Sequence, residues 1–475
     1  MPKKVAKNTQ RRRPHAGRAA RSHAAGRAGS DGGGPVTPRL VAEMQNDFAS
    51  KPAYTVAQNA VTQISVHKMT NRRQVVTSAD HSFSIKLDDW EVTNQKSSGR
   101  CWLFAGLNLF RVGAMKKMKL KEFEFSQNYP MFWDKLEKAN HFLEAVLDTA
   151  DRGADDRTVA FLLRHPVDDG GQWNMFVNLV RKHGLVPKSA MPETESSSNT
   201  GAMNDMLIAK LREAAKMLRD SRAKGAGLKD LRAAKEEALT VIYRILSIHL
   251  GTPPKKFDWQ WTDDKKKFHR DANMTPQKFA RKYVTLPLDE YVCLVHDPRK
   301  TSPPGRTFTV KYLGNVVGGR IVTYLNIDIE RMKRIAQRAL QDGEPVWFGC
   351  DVGKMMDRDL GLWDANLRDY EGLYDTTFEL DKAGRLEYGA SAMNHAMLFT
   401  GVDLVAGKPR RWRVENSWGD KGGKKGFFIM NDSWFNEHMF EIAARRKYLP
   451  LQLRQALKRP PIVLPPWDPM GSLAR

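Results

Sequence analysis

The sequence predicts an α+β fold, because helix-forming segments come early in the chain and strand-like segments come late. Residues 101–119 carry apolar residues at helical spacing, and residues 203–250 are rich in Ala, Leu, Lys, Arg and Glu. Residues 397–405, 411–415 and 426–430 instead alternate or run apolar over strand lengths. Helices followed by strands are typical of the α+β class.

Capping and breaking residues set the bounds of the predicted elements. Gly225-Ala226-Gly227 is expected to divide residues 203–250 into two helices. Thr275-Pro276 places an N-cap residue before a proline and predicts a helix start. Residues 327–340 predict a further helix and residues 346–350 the strand after it. Residues 460–469 hold five prolines and are predicted to be extended.

The composition excludes two broad classes of protein. The chain has 475 residues, of which 41% are hydrophobic, and this is enough apolar material to exclude disorder for most of it. The longest apolar runs fall far short of the ~20 residues that cross a bilayer, so neither a membrane-spanning protein nor a membrane partner is expected. The length allows roughly two to four ordinary domains, or one domain with a large insertion.

Residues 1–38 form a basic tail that we predict to be disordered. Residues 1–30 contain nine Lys or Arg and no Asp or Glu, and they contribute nine charges to the formal net charge of +23. The tail has too few large apolar residues to offset its chain entropy by burial. Three interpretations stay open: a solvated tail, an arm for nucleic acid or an anionic surface, and an organelle transit peptide.

The chain has only three cysteines: Cys101, Cys293 and Cys350. Such a small and odd number in a chain of this length does not indicate a disulfide framework. They indicate a reducing compartment. The N-terminus also lacks the apolar segment of a secretory signal peptide. We therefore expect a soluble, cytoplasmic protein, with organelle targeting by the basic tail as the alternative.

Cys101 is the candidate nucleophile. It opens the most hydrophobic predicted helix, where unpaired N–H groups and the helix dipole favour an anion, and such positions lower a cysteine pKa to about 3.5–7.5. The alternative is that Cys101 is a small buried apolar residue. Cys293 and Cys350 lie in no catalytic motif, and we interpret both as structural.

A cysteine nucleophile needs a base, and the base needs a group that orients it. His395 stands at the head of an apolar strand, and Asn416 follows in Asn-Ser-Trp-Gly, where its amide can hold the imidazole under the cover of Trp418. Gln95 precedes Cys101 by six residues, so its side-chain amide can point at a developing oxyanion beside the backbone N–H of Cys101.

These motifs resemble papain-like cysteine peptidases, and in particular the intracellular family of bleomycin hydrolase and aminopeptidase C. Ser98 stands where most papain-like enzymes have a second cysteine. Positions 101 and 395 lie 294 residues apart, against roughly 130–150 in the secreted enzymes. Further similar segments are residues 132–135, 169–173, 275–276, 315–320 and 347–353. The resemblance extends from about residue 40 to the last residue.

The resemblance implies a papain-like fold with a helical left part, a β-barrel-like right part, a large helical insertion and an ordered C-terminal arm. The helical left part would be residues 39–200, the insertion residues 201–285, the β-barrel-like right part residues 286–459 and the arm residues 460–475. It also implies roles for the site residues, with no cofactor and no metal: Cys101 as nucleophile, His395 as base and then acid, Asn416 as orienting group, Gln95 as oxyanion donor and Trp418 as shield.

The family's C-terminal arm lies in the active-site cleft and holds the α-ammonium group of the substrate by its terminal carboxylate. That arrangement implies an aminopeptidase acting on peptides with free N-termini, with bleomycin-hydrolase-like amide hydrolysis. By resemblance the carboxylate would belong to Ala474, once the enzyme has removed Arg475 itself. The family also implies a homohexameric barrel, with the lysines of the insertion on an interface or channel wall, or else on a solvated surface: Lys255, Lys256, Lys265, Lys266 and Lys267.

Two rival functions stay open. A cathepsin-like endopeptidase would use the same catalytic residues without the arm. The positive charge favours a protein that binds nucleic acid nonspecifically, as a secondary role or on a degenerate protease scaffold. No motif for sequence-specific reading of nucleic acid is found. A metallo-aminopeptidase is not expected, because His-Glu-x-x-His is absent and the cysteines lie far apart.

Overall fold

A computed structural model describes residues 34–475, so most of the basic tail predicted for residues 1–38 lies outside the described residues. Contacts divide the chain into two units after Thr62. The first unit contains helices α1 (Pro38–Ser50) and α2 (Pro52–Val61). Thr37 caps α1 by accepting from the Leu40 N–H, and Pro38 occupies the first turn. Regular structure therefore begins at the last residue of the predicted tail.

The second unit begins with helices, as the sequence predicts. The further helices are α3 (Val66–Met69), α4 (Arg73–Thr77), α5 (Cys101–Met118), α6 (Asn128–Asp148), α7 (Arg157–Arg164), α8 (Trp173–His183), α9 (Glu195–Ser198), α10 (Gly201–Ala223), α11 (Leu228–Leu250), α12 (Pro276–Tyr283), α13 (Ile329–Gln341), α14 (Tyr370–Tyr374), α15 (Lys382–Glu387), α16 (Asp432–His438) and α17 (Leu451–Ala456). Short 3-10 turns are Lys188–Ala190, Leu288–Glu290, Arg446–Tyr448 and Pro469–Ala474.

The strands are concentrated after residue 290. They are β1 (Ile85–Lys86), β2 (Phe257–Thr262), β3 (Phe268–Met274), β4 (Tyr291–Val295), β5 (Thr307–Val310), β6 (Tyr324–Asn326), β7 (Val346–Cys350), β8 (Met356–Asp357), β9 (Leu362–Trp363), β10 (His395–Val405), β11 (Lys408–Glu415), β12 (Phe427–Asn431), β13 (Met439–Arg445) and β14 (Ile462–Leu464).

One long sheet forms the β part of the fold. Its strand order is β14-β5-β6-β4-β13-β7-β10-β11-β12-β9-β8, with β1 added to β10. The centre of the sheet is antiparallel: β13 pairs with β7, β7 with β10, and β10 with β11. Helix α5 packs against β10 and β7 and is buried almost all round, as an interior helix should be. Its N-terminus thereby meets the start of β10.

The segment 201–285 contains more than the helices predicted for it. Helices α10 and α11 form, and Gly225–Gly227 separates them as expected. A hairpin of β2 and β3 then follows, before α12 begins with Thr275 as its N-cap. The hairpin forms because the aromatic side chains of Phe257, Trp259 and Trp261 alternate with exposed residues along β2, so they line one face.

The C-terminal arm is ordered. Strand β14 pairs in parallel with β5, and the 3-10 turn Pro469–Ala474 follows it. Asp468 caps this turn by accepting from the Met470 N–H. Arg299 donates to both Asp297 and Asp468, and all three side chains are buried. The ion pair of Arg299 with Asp468 therefore ties the arm to the loop after β4. Among residues 34–475, no helix is both long and apolar enough to cross a bilayer.

Candidate active site

Cys101 lies at the N-terminus of α5, where the sequence predicts it. Its side chain is buried, with 4% of the residue exposed. The backbone N–H of Ala396 donates to Cys101 Sγ at 3.4 Å. Ala396 directly follows His395 at the start of β10, so the sulfur lies beside the strand that carries the predicted base.

Asn416 holds His395 by one ring nitrogen. His395 Nε2 and Asn416 Oδ1 are 2.9 Å apart, and the Ser417 N–H donates to the same Oδ1 at 2.8 Å. The Ser417 contact identifies Oδ1 as the amide atom that faces the ring, so Nε2 is the donor. A neutral His395 that carries its proton on Nε2 leaves a lone pair on Nδ1, which can accept a proton.

Burial determines the resting charge of Cys101 and His395. It raises the pKa of the Cys101 thiol to about 11, although the N–H groups of Ala396 and Trp102 act in the opposite direction. Burial also lowers the pKa of His395 to about 4, against the smaller effect of the Asn416 bond. The expectation of a lowered cysteine pKa was wrong for this closed site. The helix N-terminus is present as predicted, but desolvation of the thiolate outweighs it.

Gln95 is held by Ser417 and by the loop that precedes Cys101. The Ser417 hydroxyl donates to Gln95 Oε1 at 2.5 Å, and the Gln95 N–H donates to the Ser417 carbonyl at 2.8 Å. Gln95 Nε2 donates one proton to the Ser98 carbonyl at 2.5 Å and has a second proton to offer. Ser417 was not predicted as a site residue, although it lies inside the Asn-Ser-Trp-Gly motif that the sequence singled out.

Trp418 covers the imidazole. Its ring centroid lies 5.0 Å from that of His395, and the two planes are inclined at 35°. Arg358 lies over the Trp418 ring at 4.8 Å from its centroid. The indole therefore lies against the imidazole, as the shielding role predicted for Trp418 requires.

Glu415 joins α5, the helix that begins at Cys101, to the end of β11, directly before Asn416. Its carboxylate accepts from Arg111 at 2.5 Å, from Asn108 Nδ2 at 2.9 Å and from Trp90 Nε1 at 2.7 Å. Asn108 and Arg111 lie on α5, whereas Glu415 ends β11 directly before Asn416. No local pattern signals this contact, because it joins positions 304 residues apart.

Asp169 supports the loop that precedes Cys101. It accepts from the Gly99 N–H at 2.9 Å and from Lys135 Nζ at 2.6 Å. These contacts hold the pKa of Asp169 well below its usual range in spite of burial, which acts in the other direction. Asp169 thus fixes the loop that precedes Cys101. It belongs to a segment that the sequence singled out, but without a role.

The C-terminal arm reaches Gly170, the residue after Asp169. A side chain at Gly170 would collide with the Leu473 carbonyl oxygen, so the glycine allows the arm to lie against the backbone. Ala474, the residue expected to anchor the substrate N-terminus, is half-buried beside it. The Arg475 guanidinium folds back to donate to the Pro466 and Asp468 carbonyls, at 2.8 and 3.1 Å.

The other two cysteines are buried and unpaired, like Cys101. Cys350 Sγ contacts the carbonyl oxygen of His395 at 3.7 Å, whereas Cys101 Sγ contacts the N–H of the next residue. The C=O and N–H of one peptide point in opposite directions, so the two sulfurs lie on opposite sides of the strand. Within residues 34–475, no group of three or more His, Cys, Asp or Glu is arranged to hold a metal ion.

Comparison with known proteins agrees with this geometry. Residues 35–471 match the Peptidase C1-like family. Aminopeptidase C of Lactobacillus delbrueckii subsp. lactis is 44% identical over 437 residues, which cover 91% of this chain and 97% of that protein. Bleomycin hydrolase of Homo sapiens is 42% identical over 444 residues, covering 91% and 98% respectively. The crystal structure of PepW from Lactobacillus rhamnosis HN001 is similar with a TM-score of 0.91 and 47% identity, over 92% of this chain and 99% of that one. The chain therefore belongs to the Peptidase C1-like family, together with aminopeptidase C and bleomycin hydrolase.

Proposed function

We propose that this cysteine aminopeptidase removes N-terminal residues from peptides, with Cys101 as nucleophile, His395 as base and acid, Asn416 as orienting group and Gln95 as oxyanion donor. The observation that carries these roles is the fixed tautomer of His395. Because Asn416 Oδ1 accepts from Nε2, the basic Nδ1 is free to take the thiol proton.

The reaction follows from this arrangement. The Cys101 proton passes to His395 Nδ1 as the sulfur attacks the carbonyl carbon of the scissile peptide. The oxyanion accepts from the second Nε2 proton of Gln95 and from the Cys101 N–H. His395 then protonates the leaving amine, and an acyl-enzyme remains on Cys101. Water deprotonated by His395 hydrolyses that thioester, and the thiol proton is restored.

In this proposal, the arm determines that peptides are cleaved at their N-terminal end. It occupies the cleft against Gly170, so few residues of a substrate fit on the N-terminal side of the scissile bond. A carboxylate at the end of the arm attracts the substrate's α-ammonium group. Removal of Arg475 by Cys101 places that carboxylate on Ala474. Intact mass of the wild type and of Cys101→Ala tests the removal: the wild type is expected to be lighter by one arginine, and equal masses contradict self-processing.

Hydrolysis of matched fluorogenic peptides tests the activity. Peptides with a free N-terminus are expected to be cleaved one residue at a time, and their N-acetylated counterparts are not. Alkylation of the thiol and Cys101→Ala both abolish the reaction, whereas the Cys293→Ala variant retains it. Internal cleavage of acetylated peptides by the wild type would identify an endopeptidase instead. Full activity of the Cys101→Ala variant would exclude Cys101 as the nucleophile.

Assembly and location complete the proposal. Exposed apolar side chains on α10 and α11, among them Met206, Leu228 and Ile248, support a homohexamer, which light scattering would detect.

The unpaired cysteines support a reducing, cytoplasmic location. The exposed insertion lysines support weak nucleic-acid binding as a secondary role, expected to decline steeply with salt. The four parts proposed for the chain, residues 39–200, 201–285, 286–459 and 460–475, are testable by limited proteolysis at their boundaries.

A further inference from the structure

The side chain of the last residue, Arg475, lies in a site of its own. Its guanidinium donates to the carbonyl oxygens of Pro466 and Asp468, at 2.8 and 3.1 Å. It also lies over the Phe161 ring, with 4.8 Å between Cζ and the centroid. Burial lowers the pKa of Arg475, and the charge of the Asp168 carboxylate acts in the opposite direction. We call this the guanidinium site and define it by the Phe161 ring, the Asp168 carboxylate and the carbonyls of Pro466 and Asp468.

The guanidinium site is held in place by contacts that do not involve the arginine. Phe161 lies on α7, whose apolar face is buried. His165 Nδ1 and Asp168 Oδ2 are 2.8 Å apart, so the imidazole fixes the carboxylate. The two carbonyl groups belong to the part of the arm that the ion pair of Arg299 with Asp468 holds. The site should therefore keep its form when the arginine is absent.

One face of α7 contacts the arm twice. Arg157 and Phe161 are four residues apart on α7 and so lie on the same face. The Arg157 guanidinium lies over the Trp467 ring, with 3.8 Å between Cζ and the centroid. The helix thus gives the arm a cation for its indole and a ring for its cation, and loss of Arg475 removes the second contact.

Removal of Arg475 leaves the guanidinium site beside a new carboxylate. A Cβ at Gly170 would lie 2.9 Å from the Ala474 carbonyl carbon and 3.0 Å from the Arg475 nitrogen, so the new carboxylate forms against Gly170. The distance from there to the guanidinium site is the length of an arginine, because Arg475 itself spans it. Lys311 lines the same cavity and brings a positive charge to it. A free arginine therefore matches the vacated site at its α-ammonium, its guanidinium and its α-carboxylate.

We propose that the guanidinium site binds free arginine once Arg475 has been removed, and that the bound arginine inhibits the enzyme. This inference rests on the proposed function, in which the Ala474 carboxylate holds the α-ammonium group of the substrate. Arginine at the guanidinium site occupies the same carboxylate and so competes with substrates whatever their N-terminal residue. Because an aminopeptidase releases arginine from peptides that begin with it, the site provides feedback by a product.

The chemistry of the site selects a guanidinium. Its planar cation stacks on an aromatic ring and donates to two carbonyl oxygens at once. Citrulline has nearly the same shape but no charge, so it loses the attraction of the ring and of Asp168. It is the matched control ligand.

Calorimetric titration with L-arginine and L-citrulline tests the site. The first protein is the full-length chain with Cys101→Ala, which cannot remove Arg475. The second is the same variant ending at Ala474, and the third adds Phe161→Leu to the second. None of the three hydrolyses peptides by the proposed mechanism, so the heat reports binding alone.

The chain ending at Ala474 is expected to bind L-arginine about tenfold or more tightly than the full-length chain does, because Arg475 fills the site in the latter. It should prefer L-arginine to L-citrulline by about tenfold or more, and Phe161→Leu should weaken arginine binding by about fivefold or more. Equal affinities for the two ligands, or for the two chain lengths, overturn the inference, as does an unchanged affinity in the Phe161→Leu variant. If that variant does not fold, Asp168→Asn replaces it, with a loss of about threefold expected and an unchanged affinity again contradicting the site.

Inhibition is measured with the active chain ending at Ala474 and a peptide that begins with alanine. L-arginine is expected to raise KM and to leave kcat unchanged, whereas L-citrulline at the same concentration leaves both unchanged. Binding of arginine without a rise in KM overturns the inhibition. A wild type that keeps Arg475 contradicts self-processing and not the site, because the titrations use a chain that already ends at Ala474 and decide the matter without it.

Discussion

At the scale of single residues, the site depends on one amide oxygen that accepts two hydrogen bonds. Asn416 Oδ1 accepts from the Ser417 N–H and from His395 Nε2. The first contact fixes the amide and the second fixes the imidazole, while Asn416 Nδ2 has no partner. These contacts suit Asn416 to the orienting role proposed for it, with the chemistry assigned to His395 and Cys101.

Replacement of Asn416 by Ala is expected to lower kcat/KM by roughly 10²-fold, in line with the contribution of a positioned base. The fall should be in kcat, because the side chain holds the base and does not contact the substrate. Steady-state hydrolysis of a free-N-terminal fluorogenic peptide measures it. The exposed Asn366→Ala is the matched control and should retain full activity. A rise in KM with unchanged kcat would contradict the orienting role.

Residue-scale features were predictable where they lie within one motif. Cys101, His395, Asn416 and Gln95 could be identified from local sequence, and the structure brings the four together. Ser417 and Glu415 flank Asn416 but were missed, because their roles depend on partners on other elements, Gln95 and Arg111. The charge state of Cys101 was predicted wrongly for a related reason: burial follows from the packing of the whole site, which a helix start does not reveal.

At the scale of elements, the geometry of the proposed site depends on the contact between α5 and β11. Arg111 and Glu415 form an ion pair whose side chains are 1% and 0% exposed. Arg111 also lies over the Trp90 ring, with 5.6 Å between its Cζ and the centroid. Because Glu415 directly precedes Asn416, this pair fixes the distance between α5, which begins at Cys101, and the end of β11.

Arg111→Met should destabilise the protein by about 3–5 kcal/mol, since it leaves Glu415 buried without its cation. Arg111→Met combined with Glu415→Gln should recover much of that loss, because the double variant buries no unpaired charge and the single amide oxygen can still accept from Trp90 or from Asn108. Urea unfolding followed by tryptophan fluorescence measures both variants. Equal stability of the single and double variants would show that the buried charge is not the cause.

The helices and strands that could be predicted are those whose bounds have a local signal in the sequence. The division of α10 from α11 at Gly225–Gly227 and the start of α12 at Thr275 are confirmed, because glycine and N-cap chemistry act locally. The hairpin of β2 and β3 was missed inside the insertion predicted to be helical. Its alternating aromatic residues stabilise strands because α5 and α12 offer an apolar surface, as the contacts of Trp259 with Met118 and with Phe279 show.

At the scale of the whole molecule, positive charge is concentrated in two segments of the sequence. Nine of the 23 net positive charges fall in residues 1–30, and the five insertion lysines are exposed. The interior, by contrast, keeps several histidines neutral. Burial lowers the pKa of His296 and of His395 to about 4 and that of His438 to about 3. Stability should therefore depend on pH above the range in which carboxylates titrate.

His438 offers the cleanest test of this dependence, because it lies outside the catalytic site and its Nδ1 has no partner. Its folded pKa of about 3 lies below its unfolded value of about 6.5, so between these values only the unfolded chain binds the proton. Stability is thus fully present above pH 6.5 and is lost as the pH falls. Between pH 4 and 6, His438→Gln should reduce the slope of the unfolding free energy against pH by about 1.4 kcal/mol per unit. Urea unfolding at half-unit intervals measures the slope, and a slope equal to that of the wild type means that His438 is protonated in the folded protein.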